Sequence, residues 1–274
     1  MFQSRVTKDV APFKLLDAAT TLDLNLPCVV TACAAATKTD GSPAAQLCLS
    51  SFGGRYKKDP HCKENKFLQH SVVDAKAKVL FNEMFASVAF PKERCTAEDL
   101  PKDFPDVTKN VWLYGFDVSY RCVQPVFNGF GVQKVLFSGE TRIIAMEVRS
   151  LLAGLKLLFP QSPEEVGIDE LTKTIETLSP ADVKALKGHG CTMYSHLHKA
   201  KELVFIPVGW IFAESLTTNG VLHYGVRKSF FSCTADNIAQ YGELVGTHKV
   251  GKKNIARMEH VLSAMKAKAL DLAA

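Results

Sequence analysis

The chain has 274 residues, of which 47% are hydrophobic and 22% charged, with a formal net charge of +5. This balance predicts a globular protein with a sizeable core, and so mild a basic excess does not by itself indicate a nucleic-acid partner. Residues 1–10 lack the apolar run of a secretion signal, and the most apolar early stretch, residues 26–36, is too short to cross a membrane. We therefore expect an intracellular protein, cytoplasmic or nuclear, with no membrane contact.

The eight cysteines are scattered along the chain, and none forms a Cys-x-x-Cys pair. This spacing argues against a zinc ribbon or a thioredoxin motif. Together with the expected compartment, it predicts reduced and mostly buried thiols rather than a disulfide framework. The cysteines are Cys28, Cys33, Cys48, Cys62, Cys95, Cys122, Cys191 and Cys233.

The N-terminal region, residues 1–110, is expected to supply loops and one helix that pack on the rest of the protein. Turn-forming residues dominate 37–66. Apolar residues from Leu68 to Met84 then recur at near-helical spacing, and Phe90-Pro91 is a natural helix end. Three prolines between 91 and 110 predict a surface loop.

The middle of the chain changes to the period of a β-strand. Apolar and polar residues alternate from Phe116 to Cys122, which predicts a half-buried strand. Residues 132–137 and 141–148 flank Ser138-Gly139 and predict a β-hairpin. A helical insertion is expected over 149–188, where Ser179, Pro180 and Asp182 form a good helix start.

Strands return after residue 190. Segments 191–198, 202–208 and 221–231 read as strands, and helices follow around 236–245 and from 252 onward. Strands and helices do not alternate regularly, which disfavours a parallel doubly wound sheet. The pattern predicts an antiparallel β-barrel or sandwich over 111–231, with C-terminal helices over 232–274.

One late segment carries a family resemblance. Glu202 precedes the apolar run 203–206, Pro207 and Gly209 form a Pro-x-Gly turn, and Trp210 follows it. This segment resembles the second motif of cupins and, more closely, the late barrel segment of JmjC-type proteins. The resemblance implies an α+β fold: an antiparallel double-stranded β-helix decorated with N-terminal, inserted and C-terminal helices. It also implies a barrel-borne metal site, in JmjC-type proteins one for Fe(II) and 2-oxoglutarate.

The metal ligands of that family are missing from this sequence. The ligand histidine falls on Phe212, whose benzyl side chain has no lone pair for a metal, and the cupin asparagine falls on Leu216. Residues 111–148, where the first motif belongs, contain no histidine. The sequence therefore predicts a non-catalytic module with a degenerate metal site and no cofactor, which serves protein interaction or small-ligand binding. A simple strand-turn-strand of another β fold remains an alternative.

Two other groups of residues could form a site. His196 and His198 share one strand face and, with His223, offer three nitrogens for a metal, which would make the chain an Fe(II)/2-oxoglutarate-type oxygenase with unconventional ligands. A small polar pocket at the barrel mouth is the second candidate. For both we expect ordinary packing, with surface or hairpin histidines and Arg227 in solvent. The pocket candidates are Phe212, Trp210, Tyr194, His223, Tyr224 and Arg227.

The C-terminal helix carries a regular apolar seam at three-four spacing. We expect it to mediate a homodimer, although such a helix often packs on its own domain instead. Contact of its basic face with nucleic acid is a weaker alternative. The seam residues are Ile255, Met258, Leu262, Met265, Ala269 and Leu272.

Overall fold

The computed structural model of the chain describes residues 10–17, 20–31, 46, 50, 67–72, 75–86, 88–95, 111–116, 124–126, 131–160, 168–217, 223–247 and 252–274. Within them lie thirteen strands: β1 Ala11–Pro12, β2 Lys14–Leu16, β3 Cys28–Val30, β4 Phe67–Ser71, β5 Arg94–Cys95, β6 Val111–Phe116, β7 Gln124–Val126, β8 Gly131–Ser138, β9 Glu140–Glu147, β10 Met193–Lys199, β11 Leu203–Ile206, β12 Trp210–Leu216 and β13 His223–Ser232. The longer helices of the same regions are α1 Ala75–Ala86, α2 Val148–Leu158, α3 Ile168–Thr177, α4 Pro180–Gly188, α5 Ala235–Thr247 and α6 Lys252–Ala273.

The strands form two sheets that curl into a barrel-like shape. The five-stranded sheet has the order β1-β10-β9-β12-β7, and the eight-stranded sheet has the order β2-β3-β11-β8-β13-β6-β4, with β5 paired to β13. All pairings among β4 to β13 are antiparallel, whereas β1 and β2 run parallel to their neighbours. The predicted mixture of helices with a barrel-like antiparallel β structure is confirmed at this level.

The inner faces of the two sheets share one interior. Because side chains alternate across a strand, every second residue of β8, β9, β11 and β12 points inward. The inward residues form a single buried cluster, in which Val132 and Val204 of one sheet pack with Ile143 and Ala145 of the other. This interior is the place in which a barrel fold holds a ligand or a filled core.

Helices cover the outer faces of both sheets. Helices α1, α5 and α6 contribute Phe81, Tyr241 and Met265 to the core behind the eight-stranded sheet. Helices α2, α3 and α4 lie between β9 and β10 in the chain and form the core behind the five-stranded sheet. The predicted helical insertion is therefore confirmed, and α4 begins with the expected capping box of Ser179 and Asp182.

The predicted β-hairpin at Ser138-Gly139 is wrong. Strand β8 pairs with β11 and β13, and strand β9 pairs with β10 and β12, so the two strands belong to different sheets. Gly139 has a φ of +82° and turns the chain from one sheet to the other. The sequence correctly predicted a turn at this point. However, each of the two strands is hydrogen-bonded along both edges to strands that are distant in the chain, and local sequence does not reveal such pairings.

The helix predicted from Leu68 begins later. Leu68 belongs to β4 and pairs with Gly115, and the helix starts at Ala75. Apolar residues three or four apart fit a helix, but tertiary pairing overrides so short a pattern. The alternating stretch after Phe116 lies outside the described residues, as do most of 37–66 and all of 96–110.

The C-terminal seam packs on the chain's own core. Met265 is fully buried there, beside Val261 of the same helix. It is therefore not available to a partner chain, contrary to its predicted place in a dimer interface. Met258, Leu262, Ala269 and Leu272 are partly buried against the same core. The side chain of Ile255 lies outside the described residues. Among the helices of the described regions, none combines the length and the apolar character needed to cross a bilayer.

Candidate functional site

The barrel interior has an apolar end built around Phe212. This side chain is 2% exposed and packs with Phe13, Val29 and Ile206 among others. Trp210, two residues earlier on the same strand face, lies 5.7 Å from Tyr194 between ring centroids. Three of the pocket residues predicted from sequence thus fill the interior instead of lining an open cavity.

Beyond Phe212 the interior becomes polar. We call this group the interior polar cluster: Tyr114, Lys134, Thr141, His198, Glu214 and Arg227. Its members come from β6, β8, β9, β10, β12 and β13, and so from both sheets. All six are buried.

Lys134 and Glu214 form a buried ion pair at the centre of the cluster. The ammonium of Lys134 contacts Oε2 of Glu214, and Thr141 Oγ1 donates a hydrogen bond of 2.8 Å to Oε1. The Lys134 nitrogen also lies 4.4 Å from the ring centroid of Tyr114 and 5.2 Å from that of Phe212. Burial alone would raise the pKa of Glu214, but the Lys134 ammonium outweighs it and holds that pKa below its usual value.

His198 is buried and neutral. Its Nε2 lies 3.1 Å from the carbonyl oxygen of Glu202. A carbonyl only accepts, so Nε2 carries the proton and Nδ1 carries a lone pair. Burial, aided by Lys134, lowers the pKa of His198 to about 4. Nδ1 is enclosed and has no hydrogen-bond partner in the part of the chain that the structure describes.

Arg227 is buried as well, which corrects the expectation that it points into solvent. It is 9% exposed, and its neighbours across the sheet are Lys134 on β8 and Trp112 on β6. Burial lowers the pKa of Arg227 from 12.5 to about 10, so the guanidinium stays charged at neutral pH. Within the described ranges no hydrogen bond or ion pair to this guanidinium was found.

The interior polar cluster therefore carries an uncompensated positive charge. Lys134 and Glu214 share their proton within one pair, and the pair is neutral overall wherever that proton lies. His198 is neutral at pH 7 because its pKa is about 4. Only Arg227 remains, and it gives the buried cluster one net positive charge.

The His-x-His pair lies on the inner face of β10, as its alternation predicts, but Glu202 occupies both Nε2 atoms. His196 Nε2 lies 2.8 Å from a carboxylate oxygen of Glu202, and His198 faces the carbonyl of the same residue. Phe13 stacks on His196 with ring centroids 5.7 Å apart. Although burial raises the pKa of Glu202, the hydrogen bonds from His196 and from the backbone N–H of Lys199, together with the electrostatic effect of the two histidines, lower it overall.

The third candidate ligand, His223, is buried against the turn between β8 and β9. A Cβ atom at Gly139 would lie 2.2 Å from its Cδ2 atom, so this ring needs a glycine beside it. His198 and His223 are therefore interior residues, and not the surface or hairpin histidines that were expected. No three histidines, cysteines or carboxylates of the described residues are grouped so that they could hold a metal ion.

Tyr224 is separated from the other predicted pocket residues. It lies 6.4 Å from Phe137 between ring centroids and packs on the core behind the eight-stranded sheet. A β-bulge between Tyr224 and Gly225 shifts the register at this point. Of the predicted pocket set, only Arg227 belongs to the interior polar cluster.

Sequence reasoning missed four members of the cluster: Tyr114, Lys134, Thr141 and Glu214. A faint signal was present for two of them. Lys134 interrupts the apolar strand 132–137, and Glu214 interrupts the apolar run after Trp210, each at a position whose strand neighbours two residues away point inward. A charged residue at such a position means either that the predicted strand register is wrong or that the charge is buried and paired with an opposite one.

A surface cavity of about 330 Å³ lies away from the barrel interior, between α2 and α5. The exposed pair Arg149 and Glu243 spans its wall through two hydrogen bonds of 2.8 Å. These two charges neutralise each other in solvent. The cavity consequently lacks the uncompensated charge that distinguishes the barrel interior.

Comparison with protein-family models finds no match for this chain, and comparison with curated proteins finds no significant match.

Proposed function

We propose that the chain is a non-catalytic barrel of the cupin/JmjC type that binds a small anionic molecule in its interior. The strand order supports the double-stranded β-helix in this proposal. Strands β6, β8, β11 and β13 lie in one sheet and β7, β9, β10 and β12 in the other, so the chain changes sheet at every step from β6 to β13 except between β9 and β10. Antiparallel strands that switch between two facing sheets in this way are what such a β-helix requires.

The residues present do not fit the iron site that this family uses. Phe212 fills the ligand position with a ring that has no lone pair. The nearest interior carboxylate, Glu214, is already occupied by the ammonium of Lys134. The barrel therefore supplies its own cation in the region where an oxygenase would hold its metal.

Arg227 is the observation that carries the proposed binding function. A depression of its pKa from 12.5 to about 10 means that folding buries this charge at an energetic cost. The cost is on the order of 3 kcal/mol, since each pKa unit corresponds to about 1.4 kcal/mol. No described residue forms an ion pair with Arg227, although the Glu214 carboxylate partly offsets the lowering of its pKa. A buried charge without an ion-pair partner is a common mark of a functional site.

The ligand chemistry follows from this charge. A guanidinium presents a planar fork of N–H donors that matches a carboxylate in two parallel hydrogen bonds. The site is enclosed, so the molecule must be small. We accordingly assign the ligand to the class of small carboxylates, without assigning a reaction to it.

The test is calorimetric titration of the purified chain with succinate, and with succinamide as the uncharged control. We expect succinate to bind and succinamide not to bind. Arg227→Met should weaken succinate binding at least tenfold, a loss of about 1.4 kcal/mol. Arg149→Met removes an exposed arginine and serves as the matched control, with binding unchanged.

Equal binding of the two compounds, or succinate binding that survives in Arg227→Met, contradicts the assignment. The same samples test the alternative, an oxygenase that uses His196, His198 and His223. That alternative requires stoichiometric iron and turnover of 2-oxoglutarate, both lost when these histidines are replaced. Association into dimers and an intracellular location stay as predictions beside this proposal.

A further inference from the structure

His198 and Arg227 approach β8 from opposite sides, and both face the barrel interior. Strand β8 has β11 on one edge and β13 on the other, and Arg227 of β13 lies opposite Lys134 of β8. On the β11 side, the backbone N–H of Lys201 donates to the carbonyl of Leu136 at 2.9 Å, which holds the end of β10 beside β8. His198 stands at that end of β10. The two side chains therefore border the same part of the interior.

The two ring nitrogens of His198 differ in what they contact. Nε2 donates to the carbonyl oxygen of Glu202 at 3.1 Å, so Nδ1 keeps its lone pair. Nδ1 is buried, and within the described part of the chain no group donates a hydrogen bond to it. A buried acceptor that has lost its water and gained no donor is unfavourable for the fold. A donor on a bound molecule would remove that cost.

Other donors of the interior polar cluster are directed at other acceptors. The ammonium of Lys134 contacts Glu214, and Thr141 Oγ1 donates to the same carboxylate at 2.8 Å. The hydroxyl of Tyr114 donates to a backbone carbonyl at 3.4 Å. These contacts satisfy the carboxylate of the cluster but leave the Nδ1 acceptor of His198 open. The interior thus offers a bound molecule one cation and one acceptor.

We propose that the small carboxylate of the proposed function also carries a hydroxyl group, so that the barrel binds a hydroxy acid. This inference rests on the proposed function: Arg227 holds the carboxylate, and the hydroxyl donates to Nδ1 of His198. Burial lowers the pKa of His198 to about 4, so the lone pair of Nδ1 is available at neutral pH. The donor must be neutral, because the cluster already carries one net positive charge and repels an ammonium group.

Calorimetric titration of the full chain with succinate, malate and aspartate tests the inference. Malate adds one hydroxyl group to succinate, whereas aspartate adds one ammonium group. One enantiomer of malate should bind at least about tenfold more tightly than succinate, because a ligand without the hydroxyl leaves the buried acceptor unpaired. Aspartate should bind more weakly than succinate, because its added charge has the same sign as that of the cluster.

Variants at His198 separate the hydroxyl contact from the binding of the carboxylate. His198→Leu has no acceptor at this position, so it should bind succinate and malate equally. His198→Gln keeps a donor for the Glu202 carbonyl and offers an amide oxygen in place of Nδ1, so it should retain a preference for malate. His260→Leu replaces an exposed histidine of α6 and is the matched control, with the wild-type preference.

The ¹⁵N NMR signal of His198 Nδ1 in the wild-type chain gives a readout that does not depend on the folding of any variant. Malate should move this signal in the direction of a hydrogen-bonded nitrogen, and succinate should not. A signal that malate leaves in place would overturn the inference.

The affinities give the other decisive outcomes. Equal affinity for succinate and both enantiomers of malate, or a malate preference that survives in His198→Leu, would overturn the hydroxy-acid assignment. If succinate binds and malate gains nothing, only this assignment fails. If succinate itself does not bind, the proposed function fails together with it.

Discussion

The two ends of the barrel interior contrast in how they are filled. At one end Phe212, Trp210 and Tyr194 pack as an ordinary aromatic core. At the other end, one strand repeat away, Glu214 and Lys134 form an ion pair, and among the described residues no side chain forms an ion pair with the buried Arg227. The same alternating positions of β12 thus supply apolar residues first and then a carboxylate.

This contrast separates residues that stabilise the barrel interior from residues that we assign to its function. Burial of the aromatic side chains stabilises the fold, so their presence needs no functional explanation. Buried ion pairs bring little net stability, because desolvation offsets their attraction, and a lone buried guanidinium is unfavourable. The polar end therefore carries charges that bring the fold little net stability, which is why we place the binding site there.

The largest predicted effect comes from breaking the buried pair. Glu214→Gln leaves Lys134 enclosed without a carboxylate and should lower the free energy of unfolding by about 3 to 5 kcal/mol in urea denaturation. The matched control is the exposed pair, whose side chains are 49% and 56% exposed. There Glu243→Gln should lower it by less than about 1 kcal/mol. Similar losses at both sites would remove the distinction between them.

The second prediction concerns pH. Because burial depresses the pKa of folded His198 to about 4, the unfolded chain, with a value near 6.5, takes up the proton first as pH falls. The contribution of neutral His198 to stability is complete above pH 6.5 and is lost progressively toward pH 4, a change of about 3 kcal/mol at most.

Urea unfolding between pH 7 and pH 5 checks this prediction. His198→Gln keeps an N–H donor for the Glu202 carbonyl but does not titrate, so its stability should vary less over this range. The range stays above the ordinary pKa of Glu214, whose own contribution is lost at lower pH. If the free energy of unfolding of His198→Gln varied with pH as steeply as that of the wild type, another group would be responsible for the pH dependence.

The third prediction has the opposite sign. Arg227→Met removes a buried charge that has no ion-pair partner in the described part of the chain, and should raise the free energy of unfolding by about 1 to 3 kcal/mol in the absence of ligand. Urea denaturation measures this gain, and Arg149→Met provides the exposed comparison. If Arg227→Met destabilised the chain instead, Arg227 would be a structural residue and the contrast between the two ends would fail.

An effect of similar size but opposite sign is expected at the turn that leads into β12. Gly209 has a φ of +79°, and a Cβ atom there would lie 2.2 Å from Oε1 of Gln240. Gly209→Val should lower the free energy of unfolding by about 1 to 3 kcal/mol. Adding Gln240→Ala to Gly209→Val should restore only the part of the lost stability that comes from the contact with Gln240. The part that comes from the positive φ should remain lost. A variant that melts like the wild type would refute the turn assignment.

Local sequence predicted the later strands and helices well, because caps and periodicity act over a few residues. Ser179 and Asp182 specify the start of α4 without help from the rest of the chain. Sheet membership depends on distant partners, so the turn at Gly139 was assigned to a hairpin. The polar end was missed for the same reason, since Lys134 and Glu214 are 80 residues apart and only the fold brings them together.

The most direct test of an anion site at Arg227 is the NMR signal of its Nε–H group, assigned through its absence in Arg227→Met. Titration with succinate should shift this signal to saturation, while succinamide at equal concentration leaves it in place. A signal that succinate does not move, or that moves only when Fe(II) is added, would contradict the account of a barrel that has exchanged a metal site for an anion site.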